Sequence, residues 1–365
     1  MGARRLHRWL GLGLGLWFAL AGLTGTILVF WRDIEAAPLP AASAGPSLPL
    51  SELVLRAKRH QNEAPWRVVP PQREGEPLRV EFLPEAGGRL SLYLDPTDGR
   101  VLASLPWGGA AIHWLYELHS GHILGRAGGV VAGLTGLVLA ALVGLGLALW
   151  PRHAAVPWRE RLVAVKGLRG RRRLANWHRV VGLRSAPLLL VAALSGTTLA
   201  FPDTTRELLE PLTPAAPAPG QGPKVGEGPL DLDGAMRLAE TMHPGWRTAW
   251  LVLEDEVQVA LLPRESRWPS GRAWASVDLL GGRVVEHGRP DAVDHIRAWL
   301  MALHNGQALG WFSRAITVLL GLSLPVMGWL GWRLWRRGGL RGARAASGRA
   351  TAPPPRHGAS APPAR

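Results

Sequence analysis

Four stretches of this chain carry no charged side chain for 18 to 24 residues: Trp9 to Trp31, Ala127 to Trp150, Ser185 to Pro202 and Ala315 to Trp332. A hydrocarbon core about 30 Å thick takes roughly 20 such residues in a helix, so each stretch can span a bilayer. The expected fold class is therefore membrane α-helical, with a four-helix transmembrane bundle. A collagen-like, disordered or ordinary soluble chain is excluded.

The formal charge of +15, from 42 Lys+Arg against 27 Asp+Glu, would by itself suggest a nucleic-acid binder. Its distribution gives another meaning. Residues 32–125 hold 11 acids and nine Lys+Arg, and residues 203–310 hold 15 acids and ten, so both long segments are net acidic. The excess lies in Arg4, Arg5 and Arg8, in eight Lys+Arg between Arg152 and Arg173, and in eight Arg after Trp332. Basic residues in short loops stay cytoplasmic, which places both termini and the middle loop inside, the acidic segments outside, and no nucleic acid among the partners. A cleaved signal peptide is the rival reading of the first span, since Ala-rich sequence follows at Ala36 to Ala44. Its uncharged run of 23 residues exceeds the h-region of about 7–15.

Comparing the chain with itself reveals a repeat. A shift of 171 residues aligns His7 with His178, Gly11 with Gly182, and Leu23-Thr24-Gly25-Thr26 with Leu194-Ser195-Gly196-Thr197. A shift of 185 aligns Leu118-His119 with Leu303-His304, Gly121 with Gly306, Gly136 with Gly321 and Gly146 with Gly331. The expected architecture is two parallel repeats of span, outer domain, span, related by an axis along the membrane normal. Helix periodicity at Ser51 to Gln61 and Asp233 to Met242, followed by alternating runs, makes each outer segment a small α+β domain.

The resulting division is span 6–31, outer domain 32–112, span with outer pre-helix 113–150, and basic loop 151–176. It continues with span 177–202, outer domain 203–297 with a Pro-rich linker 211–229, span with pre-helix 298–336, and a basic disordered tail 337–365.

Of 12 His, two pairs align between the repeats: His7 with His178 at the inner ends of spans one and three, and His119 with His304 before spans two and four. A two-fold axis along the bundle brings each pair face to face. Two facing imidazoles in a dry interior are what bis-His ligation of a b-type haem requires. Boundary His also serve as interfacial anchors or hydrogen-bond partners, and zinc or copper remains open, although two His per layer are too few for a closed zinc site. His113 and His122 are alternative ligands in the first repeat. The absence of Cys excludes disulfides, thiolate-held iron–sulfur clusters and covalent haem attachment. Gly11-Leu12-Gly13-Leu14-Gly15 lies inside a span with no preceding strand, so it is no dinucleotide fingerprint. The Trp residues at span ends form an aromatic belt.

Leu6-His7-Arg8-Trp9-Leu10-Gly11, the Asp-x-x-x-Gly-Arg turn at Asp95 to Arg100, and Leu115-Tyr116-Glu117-Leu118-His119 before a Gly-rich span ending Leu149-Trp150-Pro151-Arg152 carry a resemblance. The chain resembles the PepSY-associated transmembrane proteins, also called iron-regulated membrane proteins, which include integral-membrane siderophore reductases. The likeness covers about 330 residues. It implies a bacterial inner-membrane protein with periplasmic PepSY domains and two b-type haems, with His7, His178, His119 and His304 at the positions that match the family's His. It further implies reduction of a ferric siderophore or other ferric chelate with release of Fe(II), the electrons coming from a quinol or a cytoplasmic reductase. A peptide-binding or regulatory PepSY membrane protein and a siderophore or metal transporter are the alternative functions.

Overall fold

The structure, a computed structural model, describes residues 2–85, 87–150, 162–214, 218–220, 230–266 and 268–350, with side chains through residue 337. The basic loop up to residue 161, much of the Pro-rich linker and the end of the tail lie outside these. Ten α-helices are present among the described residues: α1 Ala3–Leu28, α2 Trp31–Ala36, α3 Leu50–Gln61, α4 Ala111–Ser120, α5 Gly125–Ala148, α6 Gly170–Ala200, α7 Pro202–Leu209, α8 Leu232–Met242, α9 Ala292–His304 and α10 Gly310–Ala350.

Four helical stretches, Ala3–Leu28, His122–Ala148, Gly170–Ala200 and Gly310–Arg337, are long and apolar enough to cross a membrane. They are α1, α5 with the short 3₁₀ turn His122–Leu124 before it, α6 and α10. Within the bundle α1 packs mainly on α10, and α5 on α6, while α6 and α10 touch along the centre. Small residues set these contacts: a Cβ on Gly136 would collide with Thr197, and one on Gly22 with the Gly321 carbonyl. The fourth helix continues to Ala350, well into the segment expected to be a disordered tail.

The extramembrane part differs from the expectation of two separate domains. Strands β1 Pro65–Val69, β2 Leu78–Phe82, β3 Leu90–Leu94, β4 Val101–Pro106, β5 Trp246–Leu253, β6 Val257–Pro263, β7 Ala273–Asp278 and β8 Arg283–Gly288 form one antiparallel sheet. Its order is β4-β3-β2-β1-β5-β6-β7-β8, and Arg67 with Val252 and Val68 with Leu251 form the seam. An isolated four-stranded meander would leave the outer edges of β1 and β5 unpaired, and joining them removes both exposed edges. The short β1 and β7, not anticipated from the sequence, complete the two halves.

One sheet face is covered by α3 and α8, which bury Leu53, Val54, Ala57, Leu238 and Ala239 on Val68, Val80, Leu92, Leu251, Val259 and Ala275. Asp233 fastens the two helices together. Its carboxylate accepts from the Leu50 and Ser51 amides at 2.9 and 3.1 Å and caps α3, while Ser51 Oγ accepts from the Leu232 amide at 3.0 Å. The opposite face carries Arg79 and Glu81, and Arg79 lies 3.9 Å from Glu35 of α2, which anchors the sheet over the membrane helices.

Candidate functional site

Two short helices, α4 and α9, bring the sheet's chain back to the bundle, and each ends within two residues of a histidine. Gly121 after His119 has φ +79°, and Gly306 after His304 has φ +74°. Only glycine adopts this left-handed conformation without strain, so the Leu-His-x-Gly pattern stops the helix there and leaves the imidazole against the transmembrane helices.

His119 and His304 face each other with ring centres 6.1 Å apart. Thr24 Oγ lies 3.0 Å from His119 Nδ1, and Ser195 Oγ lies 3.3 Å from His304 Nδ1. Both hydroxyls give their proton to a backbone carbonyl of their own helix, so each accepts from an Nδ1–H. His304 Nδ1 also lies 3.0 Å from the Ala192 carbonyl. These contacts fix the tautomer and leave Nε2 with a free lone pair.

At the opposite end of the bundle His7 and His178 form the second pair, with ring centres 6.3 Å apart. His7 Nδ1 donates to the Leu142 carbonyl at 3.1 Å, which again leaves Nε2 free. His178 Nδ1 is buried without a partner. Two apolar clefts open between the membrane helices, neither of them lined by a histidine. One, of about 470 Å³, lies between α5 and α6 and is lined by Leu147, Leu183, Ala186 and Pro187. The other, of about 340 Å³, lies between α1 and α10 and is lined by Leu12, Gly15, Leu16, Pro325 and Trp332.

The spacing of the pairs is compatible with two ligands of one metal. With a metal–imidazole bond of about 2 Å and about 1.1 Å more to the ring centre, two imidazoles on opposite sides of one metal have centres about 6 Å apart. Both pairs have that separation. Among the described residues no group of three or more His, Cys, Asp or Glu could hold a metal ion, so a metal here would have only two protein ligands. It must bring its own equatorial donors, as a haem does and a bare zinc ion does not.

Every ring of the four rests on a glycine. A Cβ would stand 3.1 Å from His7 Cε1 if built on Gly146, and 3.7 Å from His178 Cε1 on Gly331. It would stand 3.1 Å from His119 Cε1 on Gly25 and 2.8 Å from His304 Cε1 on Gly196. Next to the inner pair, Arg179 Nε and Arg333 Nε are buried without hydrogen-bond partners, two cationic donors able to receive carboxylates such as haem propionates. Neither the glycines nor the arginines were singled out as site residues from the sequence, although all four glycines lie in the aligned segments.

The alternative ligands are placed elsewhere. His113 is buried between Trp107, at 4.4 Å, and Trp31, at 5.5 Å. Its Nδ1 accepts from the Gly108 amide at 3.0 Å and its Nε2 donates to Glu35 at 3.2 Å, so neither nitrogen is available for a metal. His122 is exposed, bonded to Ser120 Oγ at 3.0 Å, and beside Tyr116 rather than a second His. His113 instead clamps α2 to the β4–α4 connection, together with Trp31 donating to Glu35 and Trp107 donating to Glu117.

Fold and site together define a multi-pass membrane protein in which four helices enclose two imidazole pairs beneath an extramembrane sheet. Residues 4–337 match the family model of the PepSY-associated TM region, and the chain belongs to that family. No curated protein is similar enough to be matched to it.

Proposed function

We propose that the bundle holds two b-type haems, one between His7 and His178 and one between His119 and His304. In this reading the protein passes electrons across the membrane to a ferric chelate. The observation that carries it is the double occurrence of two imidazoles at a spacing that suits two ligands of one metal, with no group of three or more His, Cys, Asp or Glu to hold an ion among the described residues. Haem, when bound, supplies a one-electron carrier at each depth.

The chain's own residues do the rest. Thr24, Ser195 and the Leu142 and Ala192 carbonyls hold His119, His304 and His7 through Nδ1, in the tautomer that leaves Nε2 for a ligand bond. The glycines Gly25, Gly146, Gly196 and Gly331 leave room along the ring edges. The apolar walls of the spans exclude water, which removes the reorganisation an exposed redox centre would require.

In this reading the membrane is a bacterial inner membrane, His7 and His178 lie on its cytoplasmic side with both termini, and the sheet lies in the periplasm; the basic charge at the chain ends supports that orientation. In this reading, too, the unit of span, half-sheet, span is duplicated, and the strand order, which runs outward from the β1–β5 seam in both directions, supports it. A quinol or a cytoplasmic reductase gives up electrons at the inner pair. A ferric siderophore accepts one electron per iron on the sheet side and releases Fe(II) for uptake. A reduced-minus-oxidised spectrum of membranes containing the protein tests the first half: a b-type α-band with two haems per chain is expected, and its absence overturns the proposal. Reoxidation of the dithionite-reduced protein by a ferric hydroxamate tests the second half, and failure to reoxidise removes the chelate as acceptor.

A further inference from the structure

Both outer segments are net acidic, yet the sheet face turned away from α3 and α8 gathers arginines around one tryptophan. Trp250 points to that face because its neighbour Leu251 is buried in the core on the other, and Arg67 joins it there, opposite Glu81 in the β1–β2 register. Arg272 stands just before β7, whose first residue Ala273 again faces the core. The Arg67 and Arg272 guanidiniums lie 5.0 and 4.5 Å from the centre of the Trp250 ring. Partial burial first, and then the charges of Arg67 and Arg297, push the Arg272 pKa down, with Asp294 opposing them. Asp294 is already held by Arg206 at 2.6 Å, and Glu81 is shared between Arg67 at 3.7 Å and Arg79 at 3.3 Å. Among the described residues no carboxylate forms an ion pair with Arg272 or Arg297, and Arg67 Nε is buried without a hydrogen-bond partner. Arg272 is open to solvent, and Arg67, Trp250 and Arg297 are half-buried, so the cluster can be reached from outside.

We propose that this face binds a ferric chelate of net negative charge, its carboxylate or catecholate oxygens meeting Arg67, Arg272 and Arg297 and its body resting against Trp250. The inference rests on the chelate-reducing function proposed above and narrows its substrate. Arg297 relates the cluster to the bundle. On α9 it stands seven residues before His304, a step of about 700°, so the two side chains share one helix face about 10 Å apart along its axis. A shift of 185 residues puts the buried Ile112 at the position of Arg297, so this cation belongs to the second repeat alone. Charge sets the class of ligand. A trivalent metal held by three hydroxamates is neutral, whereas citrate-type carboxylates and catecholates leave the complex negative. Guanidinium forks match carboxylate oxygens and relieve their own mutual repulsion on doing so. A neutral chelate gains only the contact with Trp250 and binds more weakly.

Calorimetric titration of the purified full-length protein with the gallium(III) chelate of citrate, and separately with gallium(III) tris(acetohydroxamate), tests the site. Gallium is not reduced, so binding is read without electron transfer: its failure leaves the haem proposal standing, and a missing b-type band leaves this measurement intact. Wild type should bind the citrate chelate at least about tenfold more tightly than the neutral one, with a lead that shrinks as salt rises. Arg272→Gln, at an exposed side chain with no ion pair to break, should lose about tenfold for the citrate chelate and nothing for the hydroxamate. Arg297→Gln should do the same, and Arg237→Gln, on exposed α8 across the sheet, should change neither. Wild type that binds the two chelates equally or binds neither, or Arg272→Gln that binds the citrate chelate undiminished, overturns the proposal. So does a loss in Arg272→Gln of co-purified phosphatidylglycerol alone, which would assign the arginines to lipid headgroups.

Discussion

The glycine beneath each imidazole offers a graded test, because the four clearances differ. An alanine Cβ at Gly196 would stand 2.8 Å from His304 Cε1, about 0.6 Å inside the 3.4 Å edge of ordinary contact. At Gly25 and Gly146 the intrusion is about 0.3 Å, and at Gly331 the Cβ would sit at a relaxed 3.7 Å. A metal–imidazole bond tolerates about 0.2 Å before its geometry suffers. Gly196→Ala should therefore displace His304 from the outer site, at the roughly 1–3 kcal/mol typical of an overpacked contact. With haem between the rings as proposed, that cost would weaken its binding about 5- to 150-fold. Gly25→Ala and Gly146→Ala should fall at the low end, and Gly331→Ala should bind like wild type. Haem content by pyridine haemochrome, normalised to purified protein, reads the series, and haem titration of the depleted protein gives the affinities. All four substitutions remove a helical glycine, so a general effect on helix stability cannot produce this order. Equal loss in Gly331→Ala and Gly196→Ala, or full retention in Gly196→Ala, would refute the reasoning.

Three other outcomes follow from the same geometry. Thr24→Val removes the oxygen that accepts from His119 Nδ1–H; haem content should hold while the midpoint of one of two redox transitions rises, in a potentiometric titration. His113→Ala and His122→Ala should leave haem stoichiometry unchanged, and a haem deficit in either would restore it as a ligand. Asp95 is fully buried in the turn before β4. Burial alone would raise its pKa, but hydrogen bonds from Ser43 and Thr97 outweigh burial and hold it well below the ordinary carboxylate value. Its contribution is thus complete above that ordinary value and disappears as pH falls through the lowered one. Asp95→Asn should cost about 2 kcal/mol at neutral pH, read as faster amide exchange in β3 and β4, and the difference from wild type should shrink in strong acid.

The spans and the histidine pairs were legible because they follow from local rules. A run such as Ala127 to Trp150 can only be a membrane helix, and the Leu-His-x-Gly pattern stands at the same offset before two spans. The two helices on the sheet were read to within a residue, since Leu53, Val54 and Ala57, like Ala235, Leu238 and Ala239, repeat at helical spacing. What escaped was non-local. Strand β1 is a Pro-Trp-Arg-Val-Val segment with no clean alternation, and it exists as a strand because β2 and β5 pair with it on both sides. The single sheet was invisible for the same reason, since a seam of Arg67 and Val68 on Val252 and Leu251 joins residues more than 180 positions apart.

The misplaced alternatives have a physical lesson as well. His113 stands six residues before His119 on one helix, and a step of six is about 600° at 3.6 residues per turn, so the two rings point to different sides. Spacing alone could have separated them: His119 faces Thr24 and Gly25 of the bundle, and His113 faces Trp31 and Trp107 beneath the sheet. The two histidines of α4 thus serve different joints, one a pair across the bundle axis and the other a clamp with Glu35. Since α2 follows α1 directly and both Arg79 of the sheet and His113 of α4 lie against the same Glu35, a chain of polar contacts links the sheet to the helix that carries His119.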